Sequence, residues 1–238
     1  MSRVLPILFN TEMVQAILDG RKTVTRRIIK PQPVYSPNDG FHWKGAAYGT
    51  DLPSTVKGAA YNFRCAFPYQ PGDILYVRET WCKGRIECGE EPNGRETLYV
   101  SQCMGDEDYI HKEYVQRHKI GMDDVIWKPS IHMPKEAARI FLKVKNVRME
   151  CLQDITVEQK EKEGLVSPCC MCRNERDGKC PGKSRLLKDC PIECIDYPFK
   201  KLWDSTIKKS DIEKYSWSAN PWVWVIEFER CEKPEEWK

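Results

Sequence analysis

The chain has 238 residues, long enough for one large domain or a domain carrying sizeable insertions, and its 41% hydrophobic content supports a buried core. No apolar run approaches the ~18–20 residues of a membrane span, and residues 1–10 lack the apolar stretch and cleavage site of a secretory signal, so the expected compartment is the cytoplasm. A net charge of only +3 excludes a uniformly basic surface as the means of attracting a polyanion, which leaves local clusters to do so.

Residues 4–8 read as a short strand. Asn10 or Thr11 can cap the helix that follows, whose apolar stripe is Met13, Val14, Ile17 and Leu18. Gly20 stops that helix as a residue free to take positive φ. Residues 23–28 are β-branched and extended until Pro31 and Pro33 end them. Residues 31–71, rich in Pro, Gly, Asn and Ser, read as a long irregular connection. A strand over 73–79 follows Pro71-Gly72, and a second variable stretch, about 83–129, holds a hairpin signal at Pro92-Asn93-Gly94.

Alternation returns over 139–147 with Ile140, Leu142 and Val144. Thr156 and Gln159 fit a capping box, opening a short helix that ends at Glu163-Gly164. Its Lys/Glu-rich stretch, 158–163, reads as a solvated face. A helix over about 196–205 and a strand over 222–228 complete the pattern. Separated strands with few short helices predict an α+β fold around a small curved sheet or barrel, as one domain with insertions at about 31–70, 83–127 and 166–197.

Arg21, Lys22, Arg26, Arg27 and Lys30 crowd into ten residues. On an extended strand Thr23, Thr25 and Arg27 share one face and Val24 and Ile28 the other, and Lys22 at the preceding turn can swing toward the polar side. An ammonium, two hydroxyls and a guanidinium can hold a phosphate or a base edge. The same set can activate a hydroxyl nucleophile, provided the lysine is desolvated enough to lose its proton. A solvated Arg/Lys face is the plain alternative. Trp81, after Arg78-Glu79-Thr80, is the tryptophan best placed to wall a pocket, with Arg78 beside it; an ion pair across strands is the simpler role for Arg78 and Glu79. His132 is either an acid/base or a loop anchor.

Six of the twelve cysteines lie between 169 and 194. Cys169-x-x-Cys172 and Cys190-x-x-x-Cys194 resemble the two knuckles of a tetrahedral Zn²⁺ site that stabilises a loop without its own core, with Cys170 and Cys180 as substitutes. Free thiols and an iron–sulfur cluster are the alternatives.

Gly20-x-Lys22-x-x-Thr25-x-Arg27 resembles the signature of the ASCH domain family, whose fold is a PUA-like β-barrel. That resemblance implies a barrel with short flanking helices and irregular insertions. Most of the family carries Glu where this chain has Thr25; the variant is shared with the family's N4-acetylcytidine amidohydrolases. By that likeness Lys22, Thr25 and Glu163 take the catalytic positions. The stretches Pro6-Ile7-Leu8-Phe9-Asn10, Gly72-Asp73-Ile74-Leu75-Tyr76-Val77-Arg78-Glu79-Thr80-Trp81 and Asn220-Pro221-Trp222-Val223-Trp224-Val225 resemble the larger ASCH proteins of tailed phages and prophages, implying a bacterial host cytoplasm. Three functions follow. One is a module binding RNA or a modified nucleoside or nucleotide through Arg21, Thr23, Arg26, Arg27, Arg78 and Trp81. The second is an amidohydrolase for N4-acylated cytidine-type nucleosides. The third is a ribonuclease, for which no paired carboxylates stand out.

Overall fold

The computed structural model describes residues 2–48, 63, 66–90, 96–102, 108–122, 124–165 and 192–235, with side chains from 199 onward in the last of these and without that of Glu90. The chain divides into two units, each assembled from separated stretches: Met1–Asp19, Asp73–Lys143 and Arg230–Lys238 in the first, Gly20–Gly72 and Val144–Glu229 in the second.

In the first unit β1 (Val4–Leu8) runs parallel to β6 (Ile74–Arg78), in register from Val4↔Ile74 to Leu8↔Arg78. The opening residues of β10 (Phe141–Cys151) pair antiparallel with β6, Phe141 opposite Tyr76. Helix α1 (Thr11–Leu18) starts where the Asn10 side chain accepts from the Met13 amide at 2.8 Å, and it buries Val14, Ala16 and Ile17. A second sheet places β7 (Trp81–Glu90) between β8 (Glu96–Ser101) and β9 (Asp108–His111), both antiparallel to it. The pairing Glu90↔Glu96 is the hairpin predicted around Asn93-Gly94. Helix α2 (Lys112–Arg117) continues from His111. Cys82, Val100, Ile110, Val115 and Ile120 form one core cluster, and Trp81, Met133, Ala137, Ala138 and Phe141 another.

In the second unit the edge strand β2 (Val24–Ile28) pairs antiparallel with β11 (Trp222–Cys231), which neighbours β10. Val24, Val223 and Val225 pack on Leu152, Ile155, Phe199 and Trp203, the last two from α4 (Ile192–Ser205). Helix α3 (Val157–Lys162) and the short α5 (Ile212–Tyr215) complete the unit's helices among the described residues.

The stretch read as irregular from 31 onward contains a meander instead: β3 (Val34–Ser36), β4 (Gly40–Trp43) and β5 (Ala46–Tyr48). Its strands of three or four residues are too short to show alternation, and its second turn is hidden in Lys44-Gly45. Those two residues take φ of 50° and 81°, the two positive angles a tight hairpin of type I′ requires. Aromatic contacts anchor this region to β11: Phe41 meets Trp222 edge-on at 5.0 Å, and Phe63 stacks on Trp224 at 5.2 Å.

Among the described residues, eleven strands and few, mostly short helices make the fold α+β. Among the described residues no sheet closes on itself, and no helix is long and apolar enough to cross a membrane.

Candidate active site

Helix α3 carries the key acid to the edge of β2. Its start is fixed by the capping box, in which Thr156 Oγ1 accepts from the Gln159 amide at 3.3 Å and Gln159 Oε1 accepts from the Thr156 amide at 3.1 Å. Six residues later the helix ends at Glu163, and Gly164 leaves it at φ 87°. The Thr23 amide donates to the Lys162 carbonyl at 2.9 Å, and Lys22 forms a bridge with Glu163. The helix end is thereby pinned beside the turn that precedes β2.

Lys22 and Glu163 are both buried, at 3% and 6% exposure. The Lys22 ammonium donates to Glu163 Oε2 at 2.7 Å, to the Glu163 carbonyl at 2.9 Å and to the Val24 carbonyl at 2.8 Å. Burial pushes the Lys22 pKa below the usual lysine value; Glu163 opposes this, while Arg27 and Arg26 reinforce it. The other carboxylate oxygen, Oε1, accepts from Arg26 Nη1 at 3.0 Å. Arg26 also donates to Gln159 Oε1 at 2.7 Å and to Glu150, which in turn accepts from Arg148. Burial also lowers the Arg27 pKa, against the pull of Glu163 and Tyr69.

Thr25 is 4% exposed and sits opposite Ile226; Arg27 sits opposite Trp224 on the same face, while Val24 and Ile28 join the apolar cluster on the other. No hydrogen bond from a described residue engages the Thr25 hydroxyl. The ammonium of a buried ammonium–carboxylate pair thus belongs to a residue three positions before Thr25, whose hydroxyl, on the edge strand, is uncommitted among the described residues. Such a grouping can move a proton to and from a nucleophile.

The basic cluster around this pair is largely spent within the protein. Arg21 donates to the Gly164 carbonyl at 2.8 Å, Lys30 pairs with Asp211 at 2.9 Å, and Arg26 is clamped between Glu150 and Glu163. Thr23 contributes its backbone to the pinning of α3. Stretch 158–163 is not wholly a solvated face, since Lys160 and Glu163 are buried. Gln159 was visible in the sequence only as a cap, and nothing in the sequence pointed to Glu150.

Arg78 and Trp81 belong to the first unit. Arg78 donates to the carbonyls of Met133, at 2.9 Å, and Ile131, so Arg78 anchors that turn and exposed His132 does not. Glu79 pairs with Arg139 through two bonds of 2.9 Å, not with Arg78. Trp81 is buried beneath Lys128, 5.0 Å from its ring. The cysteines 169, 170, 172, 180 and 190 lie outside the described residues, and Cys194 falls in the first turn of α4 with its side chain outside them. Comparison of the chain with protein-family models, curated proteins and solved structures finds no match.

Proposed function

We propose that this chain is an amidohydrolase that removes the acyl group from an N4-acylated cytidine-type nucleoside. The observation that carries this reading is the buried contact between Lys22 and Glu163, 2.7 Å long, with Thr25 three residues along the chain from Lys22. The Gly20–Lys22–Thr25–Arg27 spacing, with its resemblance to the ASCH amidohydrolases and their PUA-like barrel, supplies the substrate class. The internal pairing of Arg21, Arg26 and Lys30 weighs against the phosphate-gripping alternative, because those cations already have partners.

In this reading Lys22, its pKa lowered by burial, passes a proton to Glu163 across their 2.7 Å contact and then acts in its amine form. It takes the Thr25 proton as the hydroxyl oxygen attacks the acyl carbonyl, and the resulting ammonium passes that proton to the departing N4 amine. Water then hydrolyses the Thr25 ester, releasing the carboxylic acid and restoring the hydroxyl. Glu163 holds Lys22 in place and exchanges its proton, while Arg26 fixes the far carboxylate oxygen. The cysteine pairs Cys169/Cys172 and Cys190/Cys194 are proposed to hold a structural Zn²⁺. Four thiolates leave that ion no open position, so no catalytic step passes through it.

The test is incubation of the purified chain with N4-acetylcytidine, following cytidine by chromatography. Turnover that disappears in Lys22→Ala and Thr25→Ala supports the reading. Saturable nucleoside or RNA binding without turnover would replace it with a binding module.

A further inference from the structure

A cavity of about 1170 Å³ opens in the first unit, lined by residues of β7, β9, α2 and the turn before Arg139. Its buried lining includes Ile110, Ala137 and Ala138, while Tyr109 and Tyr114, 37% and 39% exposed, each pack part of the ring on a neighbour, Trp81 at 5.6 Å and His118 at 4.1 Å. Arg85, Arg139, Asp108 and Glu136 also line it, two cations matched by two anions.

Behind this lining lies a fixed network. Arg139 binds both oxygens of Glu79 and, at 2.9 Å, Glu113; Arg117 binds Glu113 at 2.6 Å and Asp19 at 2.9 Å. Glu79 and Glu113 are 1% and 2% exposed, so the network is a rigid support. His111 lines the cavity at 7% exposure, and its Nδ1 finds no hydrogen-bond partner, standing 3.4 Å from Glu79 Oε1. That nitrogen faces the buried Glu79 carboxylate, so it belongs to the support behind the lining.

The chemistry of the lining narrows the ligand. A phosphate would meet Asp108 and Glu136 and find Arg139 already engaged by two carboxylates. A simple cation would meet the two arginines, and the described residues offer no group of three metal-ligating side chains. An aliphatic ligand would leave the polar lining unused. A flat, uncharged heterocycle with donors and acceptors on its edge uses both the exposed rings and the mixed charges.

We infer that this cavity binds a nucleobase, stacked on Tyr109 or Tyr114 and hydrogen-bonded along its edge by Arg85, Asp108 and Glu136. The site shares no residue with the Lys22–Thr25–Glu163 group and stands without the hydrolase reading. The volume accommodates a nucleoside with room to spare, whether free or within a single strand.

Photo-crosslinking of the full chain tests this, with 8-azidoadenosine, 4-thiouridine and a single-stranded oligonucleotide carrying 4-thiouridine, followed by mapping of the labelled peptides. Labelling at Tyr109 or Tyr114 by the free nucleosides identifies a nucleoside site; labelling there by the oligonucleotide alone identifies a base within a strand. Either label is competed by excess unlabelled probe and falls about tenfold or more in Tyr109→Ala/Tyr114→Ala, whose fold is checked by circular dichroism and thermal unfolding. Labels confined to residues 20–27, labels that resist competition, or no label at these tyrosines would overturn the inference. Failure of N4-acetylcytidine turnover alone would leave it standing.

Discussion

Lys22 and Glu163, 141 residues apart in sequence, meet as a buried ion pair at 2.7 Å. The pair exists because a capped two-turn helix ends beside the turn before an edge strand. Removing one partner strands the other's charge in a dry environment, which typically costs 3–5 kcal/mol. Glu163→Gln keeps the shape but leaves Lys22 and Arg26 short of a counter-charge. It is expected to lose about 10²-fold or more in turnover and about 3 kcal/mol in stability, read by assay and urea denaturation. Wild-type stability in this variant would mean the pair is not the buried, coupled unit described.

Thr25 gives the matching control. Its hydroxyl has no hydrogen-bond partner among the described residues, so Thr25→Val removes a buried group without orphaning another. Stability is expected to stay within about 1 kcal/mol of wild type in chemical denaturation. A larger loss would reveal a structural duty for the hydroxyl.

Acid sensitivity is expected from His111, whose pKa burial lowers to about 4, with Arg139 adding to the effect and Glu113 and the Ala137 backbone opposing it. A histidine held neutral in the fold takes up its proton first in the unfolded chain. Its contribution is therefore complete above the ordinary value of 6.5 and is lost as pH falls toward 4. The loss amounts to about 3 kcal/mol. Glu79, raised mainly by burial and also by Glu113 against the pull of Arg139, works in the opposite direction and makes the observed slope shallower. Comparing His111→Asn with wild type isolates the histidine: the variant should lose about 3 kcal/mol less between pH 7 and 4. Parallel curves would remove His111 as the cause.

Arg78 is expected to matter for the turn at 130–133 and not for turnover. Arg78→Ala frees the carbonyls of Ile131 and Met133 that the guanidinium holds. A loss of about 1–3 kcal/mol and faster proteolysis near residues 130–133 should follow, with turnover of N4-acetylcytidine unchanged. Reduced turnover at undiminished stability would return Arg78 to the substrate site.

Local signals carried much of the fold. The Asn10 cap, the positive φ of Gly20, the Thr156–Gln159 box, the extent of β1 and the start of β11 were all visible from neighbouring residues. Features set by distant partners were not. Glu79 meets Arg139 across 60 residues and Arg139 meets Glu113 across 26, so an ion pair across strands could be expected at Glu79 but its partners could not be named. The charge-rich end of α3 looked solvated because composition cannot reveal that β2 covers one side of it. In the candidate site, resemblance named Lys22, Thr25 and Glu163. The clamp formed by Arg26, Glu150 and Gln159 came only from the three-dimensional arrangement.

The most direct measurement of the central claim compares wild type, Thr25→Ser and Thr25→Val on N4-acetylcytidine, quantifying cytidine and acetate together. The expected result is equimolar release by wild type, reduced but measurable release by the serine variant, and loss of about 10³-fold or more with valine while the protein stays folded. No release by folded wild-type protein, or equal release by the valine variant, would contradict it.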